Sequence, residues 1–567
     1  MYLRMTKRRN ADGSEVRYYQ LAENEWDSDK GCAVAKVVYN FGRADELDPE
    51  KLRRLAESIV RFFPASAVGK PQDDVRILRS WPYGGIYVLE ALWREVGLRD
   101  TVEKQLRATK VQQPFERALL TMVANRALCP YSKLYAYEQW VPKKVFLPSA
   151  RALELHHFYF GMTFLEENKE AIEKAVYFRM ADLMNADVDL IFYDTTTLHC
   201  EIDEEDEVEV ERRSRSHPGE RQHYPPLRKR GHAKNGRDDA PLIVVGLAVT
   251  RDGLPVRSWV FPGNTTDVTT IERVKQDLRG WRLGRCIFVG DAGMNSEENR
   301  RTLALGHGKY ILAAKMRAGD EVTKLVITRA GRYHTVRDNL RVKEVIVGGD
   351  GARHQRYVVC YNPDEAKRQA RHRQHLLDLL TAELATLAAP KGEHGHSKRT
   401  CELLTSGRFG KYLRQTGRGR LKIDRAAVER EAKLDGKWVI TTNDDTLTVE
   451  DLALGYKQLM RVEECWRNLK SGLRTRPMFH WRPHRICAHV SLCVLALLLE
   501  RIAEIRAGDT WRNIRAQLQD IKVVEYLRGD VRVLQTTELE PTTVALLKRL
   551  GVPPPPRLHE VHEAAPA

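Results

Sequence analysis

The chain has 567 residues, with 93 Lys and Arg against 77 Asp and Glu and a formal charge of +16. That length suits about three or four domains at roughly 150 residues each, and so basic a balance makes nucleic acid the leading partner, a merely basic soluble protein being the bland alternative. Nine scattered cysteines without a C-x-x-C pair suggest neither a disulfide framework nor a zinc site and fit a reducing cytosol. The basic first residues carry no apolar stretch of a secretory signal.

Residues 15–41 hold two β-favouring runs around a polar turn, the pattern of a small hairpin unit, and DPEKLRRLAESIVRFF (48–63) follows as a helix with Asp48 as its cap and Pro49 in the first turn. From Tyr83 to Asn185 apolar residues recur at three and four, which predicts an α-helical domain suited to DNA-end recognition or to plain scaffolding. The pattern then turns to strands. VDLIFYDTTTLHC (188–200), APLIVVGLAVT (240–250) and LPVRSWVF (254–261) read as three antiparallel strands, the last two joined at Arg251-Asp252-Gly253. A helix DVTTIERVKQDLRG follows, and then a strand RCIFVG (285–290), a helix SEENRRTLALG and a strand KYILAAK (309–315) make a right-handed βαβ unit. This is the strand and helix order of a ribonuclease-H-like mixed sheet.

Residues 317–437 interrupt that core. They open with the β-type runs EVTKLVITR, YHTVRD, RVKEVIVGG and QRYVVCYN, pass through a charged helix near 364–388, and include the basic stretch SGRFGKYLRQTGRGRLK. The strand KWVITTN (437–443) leads back to the core. The fold expected is therefore α/β: a ribonuclease-H-like core split by a β-rich insertion, preceded by an α-helical domain and a small N-terminal β/α unit. The boundaries are 1–75, 76–186, 187–316, 317–437, 438–510 and a C-terminal helical tail, 511–567, with disorder around Pro553–Pro556. Ile486 to Leu499, the longest apolar run, is too short and mixed to span a bilayer and reads as a core helix within 484–505.

Asp194 follows the apolar run LIFY and Asp291 follows CIFVG. Each alone reads as a strand-end cap or turn former. Joined by a carboxylate from a packed helix, they can clamp two divalent ions about 3.5–4 Å apart, and oxygen ligands without His or Cys favour Mg²⁺, with Mn²⁺ able to substitute. The third acid is sought in Val449–Ser471, read as one amphipathic helix. Tyr456, Glu463 and Lys470 are spaced by seven, which falls about 20° short of two helical turns, whereas Glu464 points about 100° away. Glu463 is selected, with Lys470 and Tyr456 placed to meet a phosphate; the plain alternative is a surface stripe.

Trp466 to Arg485 holds six Lys or Arg, among them Arg467, Arg474 and Arg476, and no acid, with Trp466, Phe479 and Trp481 interleaved. Cations for phosphates and rings for unstacked bases suit a nucleic-acid channel, unless the rings are core. A second run, 212–237, contains nine Lys or Arg, including Arg228, Lys229, Arg230, Lys234 and Arg237, after the acidic run Glu201–Glu211. It reads as a mobile loop gripping DNA, or as a hairpin that neutralises its own charge.

YDTTTL around Asp194, GHAKNGRDDAPLIVVGLAV with FPGNTTD after it, VGDAGM around Asp291, DGKWVITTND, and Y-x6-E-x6-K resemble the DDE transposases of bacterial insertion sequences, in the insertion-sequence-four superfamily. The resemblance covers about Tyr83 to Glu500. It implies Mg²⁺-dependent cleavage at terminal inverted repeats and strand transfer into target DNA by a cut-and-paste route, with Asp194, Asp291 and Glu463 as catalytic metal ligands. It also implies double-stranded DNA as partner, a homodimer on DNA, and a cytoplasmic, nucleoid-associated protein. In the family's Y-R-E-K signature the arginine position is occupied here by Leu459. A silenced transposase acting as a DNA-binding regulator, and a nuclease without strand transfer, remain as alternatives.

Overall fold

A computed structural model describes residues 2–9, 15–27, 32–62, 75–109, 111–183, 190–234, 236–237, 239–279, 281, 286–317, 322–348, 355–387, 398–417 and 419–563. The ends of expected elements at 184–189, 285, 321 and 388, and the boundary expected at 186, lie outside these residues. The chain divides into two compact units, one of residues 1–79, 525–534 and 560–567, the other of 80–524 and 535–559.

In the first unit, Tyr2–Arg9, Glu15–Asp27 and Cys32–Arg43 form a three-stranded antiparallel sheet, followed by the helix Pro49–Phe62. The expected hairpin gains a strand from the charged N-terminal run, whose backbone pairs along residues 15–22 although its side chains carry little β signal.

The second unit is built on a nine-stranded sheet. Its strands are β1 (Leu190–His199), β2 (Leu242–Thr250), β3 (Pro255–Pro262), β4 (Ile287–Gly290), β5 (Lys309–Ala313), β6 (His334–Arg337), β7 (Leu340–Val347), β8 (Gln355–Tyr361) and β9 (Lys437–Thr442), in the spatial order β6-β7-β8-β9-β5-β4-β1-β2-β3. β1, β2 and β3 run antiparallel, β4 lies parallel to β1 and to β5, and β9 returns antiparallel to β5. The insertion therefore does not stand apart. Its strands β6–β8 extend the sheet through β9, because open strand edges are satisfied most simply by further pairing. EVTKLVITR departs from its β reading: Val322–Ile327 is a π-helical turn that buries Val326 and Ile327 beside Val345, Tyr357 and Val359.

One core runs from Ile86 through the strands to Val552, so the segments divided in sequence near 316 and 437 share it. At its centre lies the helix Pro483–Ala507, apolar and long enough to cross a membrane but 94% buried across its apolar window. It packs against the helices Phe115–Leu128 and Leu155–Glu167 and against β3, which is why it is hydrophobic on all sides. The tail is not purely helical: the helices Trp511–Leu518 and Pro541–Leu550 alternate with strands Lys522–Arg528, Val531–Thr536 and Leu558–Glu563. Gly529, at φ +57°, turns the chain between the first two. The last strand lies just past Pro553–Pro556, where disorder was expected.

Two glycines set the approach to the site. A Cβ on Gly231 would lie 2.1 Å from the Gly263 oxygen, and one on Gly263 would lie 2.1 Å from the Leu242 oxygen and 2.2 Å from that of Lys229. Backbone thus packs on backbone where the GHAKNGRDD and FPGNTTD segments meet, fixed by the Gly263 N–H donating to the Leu227 oxygen at 3.0 Å. Gly263→Ala should lower the unfolding free energy by about 1–3 kcal/mol through overpacking, read as a lower midpoint in urea denaturation.

Candidate active site

The parallel ladder of β1 and β4 is short, pairing Leu190–Phe192 with Ile287–Val289. Carrying that register two residues further brings Asp291 level with Asp194, on strands about 4.8 Å apart. β1 itself continues beyond Asp194, paired with β2 through His199. Asp194 therefore sits where β1 outruns its parallel neighbour, not at a strand end. Asp291 begins the turn after β4, and its Oδ1 accepts the N–H groups of Gly293 at 2.9 Å and Met294 at 3.3 Å. This aspartate thus forms the turn and stands level with Asp194.

A third carboxylate joins them. Asp267, the first residue of the helix Asp267–Asp277, accepts the Thr195 hydroxyl on Oδ1 and the Lys234 ammonium on Oδ2, the latter at 3.1 Å. A Cβ on Gly293 would stand 3.1 Å from Asp291 Oδ1 and 3.2 Å from Asp267 Oδ2, so both acids flank one glycine. Lys234 also donates to the Thr195 carbonyl at 2.8 Å and hydroxyl at 2.9 Å, and lies 3.9 Å from Asp194 Oδ1. Burial pushes the Asp194 carboxyl up to about 6, with Lys234 opposing and the Asp291 charge adding to the rise. Burial likewise raises Asp291, again opposed by Lys234.

The expected single helix over Val449–Ser471 is three pieces. Val449–Lys457 and Met460–Arg467 are α-helical, Asn468–Gly472 is a π-helical turn, and tight i to i−3 bonds at Gln458, Leu459, Arg461 and Val462 join the first two. The face bearing Glu463 nevertheless points to the sheet. Trp466, one turn on, donates its indole N–H to Asp194 Oδ2 at 3.1 Å, and Lys470 donates to the hydroxyl of Thr196, two residues along β1. Glu463 is exposed. Burial raises the phenol of Tyr456, and the Asp291 and Glu463 charges add to the rise. Glu464 is engaged by Arg461 at 2.9 Å. Leu459 is buried in the core. Among the described residues no three Asp, Glu, His or Cys side chains stand close enough to hold an ion as they are: Lys234 lies among the aspartates, and Glu463 is at the exposed edge of the sheet-facing side of its helix.

The basic run behaves as the self-neutralising hairpin. Arg228 binds Asp206 at 2.5 Å, Lys229 pairs with Glu205 at 3.5 Å, Arg230 accepts no role apart from that cluster, donating to the Asp203 and Asp239 carbonyls, and Arg237 pairs with Asp239 and Glu201. Lys234 alone of these five turns into the site. The second basic stretch is different. Trp466 is buried at Asp194, but Phe479 and Trp481 are 78% and 66% exposed, with Arg482 over the Trp481 ring at 5.6 Å and Arg474 over Tyr131 at 5.9 Å. Arg467 and Arg474 are exposed and Arg476 half-buried. The segment is anchored beside β1 by the Met478 N–H donating to the His199 oxygen at 3.3 Å. It is held from behind by Lys133, which contacts His480 at 3.2 Å and His489 at 2.8 Å.

The family model for the transposase DDE domain matches residues 214–499, half of the chain and the part that carries Lys234, Asp267, Asp291 and Glu463. The chain belongs to the DDE transposases. The model for the N-terminal domain of IS1634 family transposases matches residues 3–69. Among solved structures, the chain is similar to a cryo-EM structure of the piggyBac transposase synaptic complex with hairpin DNA, at 8% identity and a TM-score of 0.34, over 77% of this chain and 80% of that one. No curated protein matches the chain. The transposase is a DNA-acting, divalent-metal-dependent enzyme. Asp194 precedes the DDE match and is placed by the ladder with β4.

Sequence reasoning missed Asp267, Thr195 and the role of Trp466. Asp267 was visible only as the end of FPGNTTD, where an acid in the first turn of a helix has an ordinary explanation in the helix dipole. Trp466 stood in a row of aromatics whose members differ only in where the tertiary structure points them.

The raised Asp194 makes a pH test possible. Its folded value of about 6 exceeds the ordinary 3.8, so the folded metal-free protein binds that proton more tightly than the unfolded chain, and stability falls as pH rises from about 4 to about 6. Asp194→Asn should melt a few degrees above the parent at pH 8 without metal, and the gap should close as pH is lowered through 6 toward 4, measured by thermal denaturation.

Proposed function

We propose that this transposase has a ribonuclease-H-like core in which Asp194, Asp291 and Glu463 hold two Mg²⁺ ions, and that it excises its element at terminal inverted repeats and joins it to target DNA. The observation that carries this is the helix face: Trp466 on Asp194 and Lys470 on Thr196 fix the face of Glu463 toward the two aspartates brought level by β1 and β4. The donor set is all carboxylate, which suits a hard cation. Bound ions would supply Lewis-acid activation of a water or 3′-hydroxyl and stabilisation of the leaving oxygen.

The remaining residues bind and orient. Trp466 fixes the rotamer of Asp194 with one hydrogen bond. Tyr456 stays a neutral donor because burial opposes its ionisation, so it can donate to a phosphate oxygen without repelling it. Lys470, held by Thr196, brings a positive charge to the same phosphate. The position of the signature arginine offers none, because Leu459 is buried and Arg461 is tied to Glu464; the assignment to the insertion-sequence-four superfamily accordingly rests on the rest of the signature. Arg467, Arg474, Arg476, Phe479 and Trp481 form the nearest DNA surface, backed from the helical region by Lys133 and Tyr131. A homodimer on DNA would bring two ends together, acting at the nucleoid in the cytoplasm.

With DNA carrying the element's ends and Mg²⁺ or Mn²⁺, Asp194→Asn, Asp291→Asn and Glu463→Gln should each lose cleavage by roughly 10⁴-fold or more, while Glu464→Gln cleaves like the parent. A Glu463→Gln protein as active as the parent would sink the assignment. Phe479→Ala and Trp481→Ala should each weaken DNA binding by about 1–3 kcal/mol if bases stack on these rings, measured by fluorescence anisotropy with the same DNA.

A further inference from the structure

We infer that Lys234 is a resident counter-ion of the catalytic carboxylates, cradled by Thr195 and Asp267, and that it competes with the incoming divalent cation. The inference rests on the metal-binding reading above. An ammonium has three N–H donors, and here the protein provides three acceptors: the Thr195 carbonyl at 2.8 Å, the Thr195 hydroxyl at 2.9 Å and Asp267 Oδ2 at 3.1 Å. With its donors so engaged, Lys234 is held for its charge, 3.9 Å from Asp194 Oδ1.

The cradle is built from several directions. The Thr195 hydroxyl accepts from Lys234 and donates to Asp267 Oδ1, so each polar atom has a defined partner. The Lys234 backbone N–H donates to the Thr197 hydroxyl at 3.1 Å, and the Gly231–Gly263 contact brings the lysine and aspartate segments together. Three half-buried carboxylates, Asp194, Asp267 and Asp291, repel one another in the metal-free protein. Lys234 offsets that repulsion, and the same charge then opposes a divalent ion arriving at Asp194 and Asp291. Two unit like charges about 4 Å apart shift an affinity by roughly fivefold even at the dielectric constant of water, and a divalent ion is affected more. Asp267 is a positioning residue: it absorbs the ammonium's charge, leaving Asp194 and Asp291 for the metal.

The test is Mn²⁺ binding to the full chain without DNA, read by electron paramagnetic resonance of free Mn²⁺ and by the Mn²⁺-induced rise in Tm. Lys234→Gln, which keeps donors and removes charge, and Lys234→Met should each lower the metal-free Tm and reduce the half-saturating Mn²⁺ concentration about fivefold or more. Asp267→Asn should raise that concentration, and the Lys234→Gln/Asp267→Asn pair should return close to the parent. Thr195→Ser, which keeps both oxygens, should bind like the parent. A purely structural lysine would lower Tm with half-saturation unchanged, and that result overturns the inference. So does a double variant as weak as Asp267→Asn alone, because Asp267 would then be a ligand itself. If the parent binds no Mn²⁺, the metal reading falls and this inference with it; if the parent binds and both lysine variants match it, only this inference falls.

Discussion

The site depends on three residue pairs of parallel ladder, Leu190–Phe192 with Ile287–Val289. A parallel pair requires a crossover, and here the crossover contains β2, β3 and the helix Asp267–Asp277, so one topological step delivers Asp194, Asp267 and Asp291 to the same end of the sheet. A slip of one residue would turn Asp194 to the opposite face. The register is held by the apolar side chains around it: Ile191, Phe192, Tyr193 and Val289 are all buried, so a slip would disturb the packing on both faces of the sheet.

Bringing acids together is electrostatically unfavourable, and the surrounding residues show how the protein tolerates it. Asp291 takes two backbone N–H groups, Asp194 takes an indole N–H, and Asp267 takes a hydroxyl and an ammonium. Partial neutralisation of this kind keeps carboxylates folded in place without saturating them. Burial is the main cause of the upward displacement of both Asp194 and Asp291, and the Lys234 charge opposes it at each.

Much of this was legible in the sequence because it rests on short-range pattern. β1 to β5 and their helices lie within a few residues of the expected positions, and the two aspartates follow apolar runs that could only be buried strands. Other features depended on partners far away in the chain. Val322–Ile327 has strand propensity but winds into a turn to bury two side chains against β7 and β8. The Val449–Ser471 helix tightens at Gln458–Leu459, where Leu459 enters the core, and no local pattern marks that distortion. The strands after Lys522 were readable in KVVEYLRGDVRVLQT, with its Arg-Gly-Asp turn, but the surrounding helical periodicity obscured them.

Charge shows most clearly why composition and placement differ. The excess of basic residues suggested two DNA-gripping runs; in the one between 212 and 237, Arg228, Lys229 and Arg237 pair with acids of 201–211. Arg228 and Asp206 are each largely buried in their pair, and a desolvated pair of that kind is costly to open for a new partner. The run from Trp466 to Arg485 contains no acid and begins on the helix that carries Glu463. Its first aromatic is bonded to Asp194, while its later ones, Phe479 and Trp481, face solvent. Chemistry and the proposed DNA grip thus belong to one continuous segment, docked at Asp194 and at Lys133, so that a strand held by the exposed rings has its position set relative to the aspartates by the fold itself.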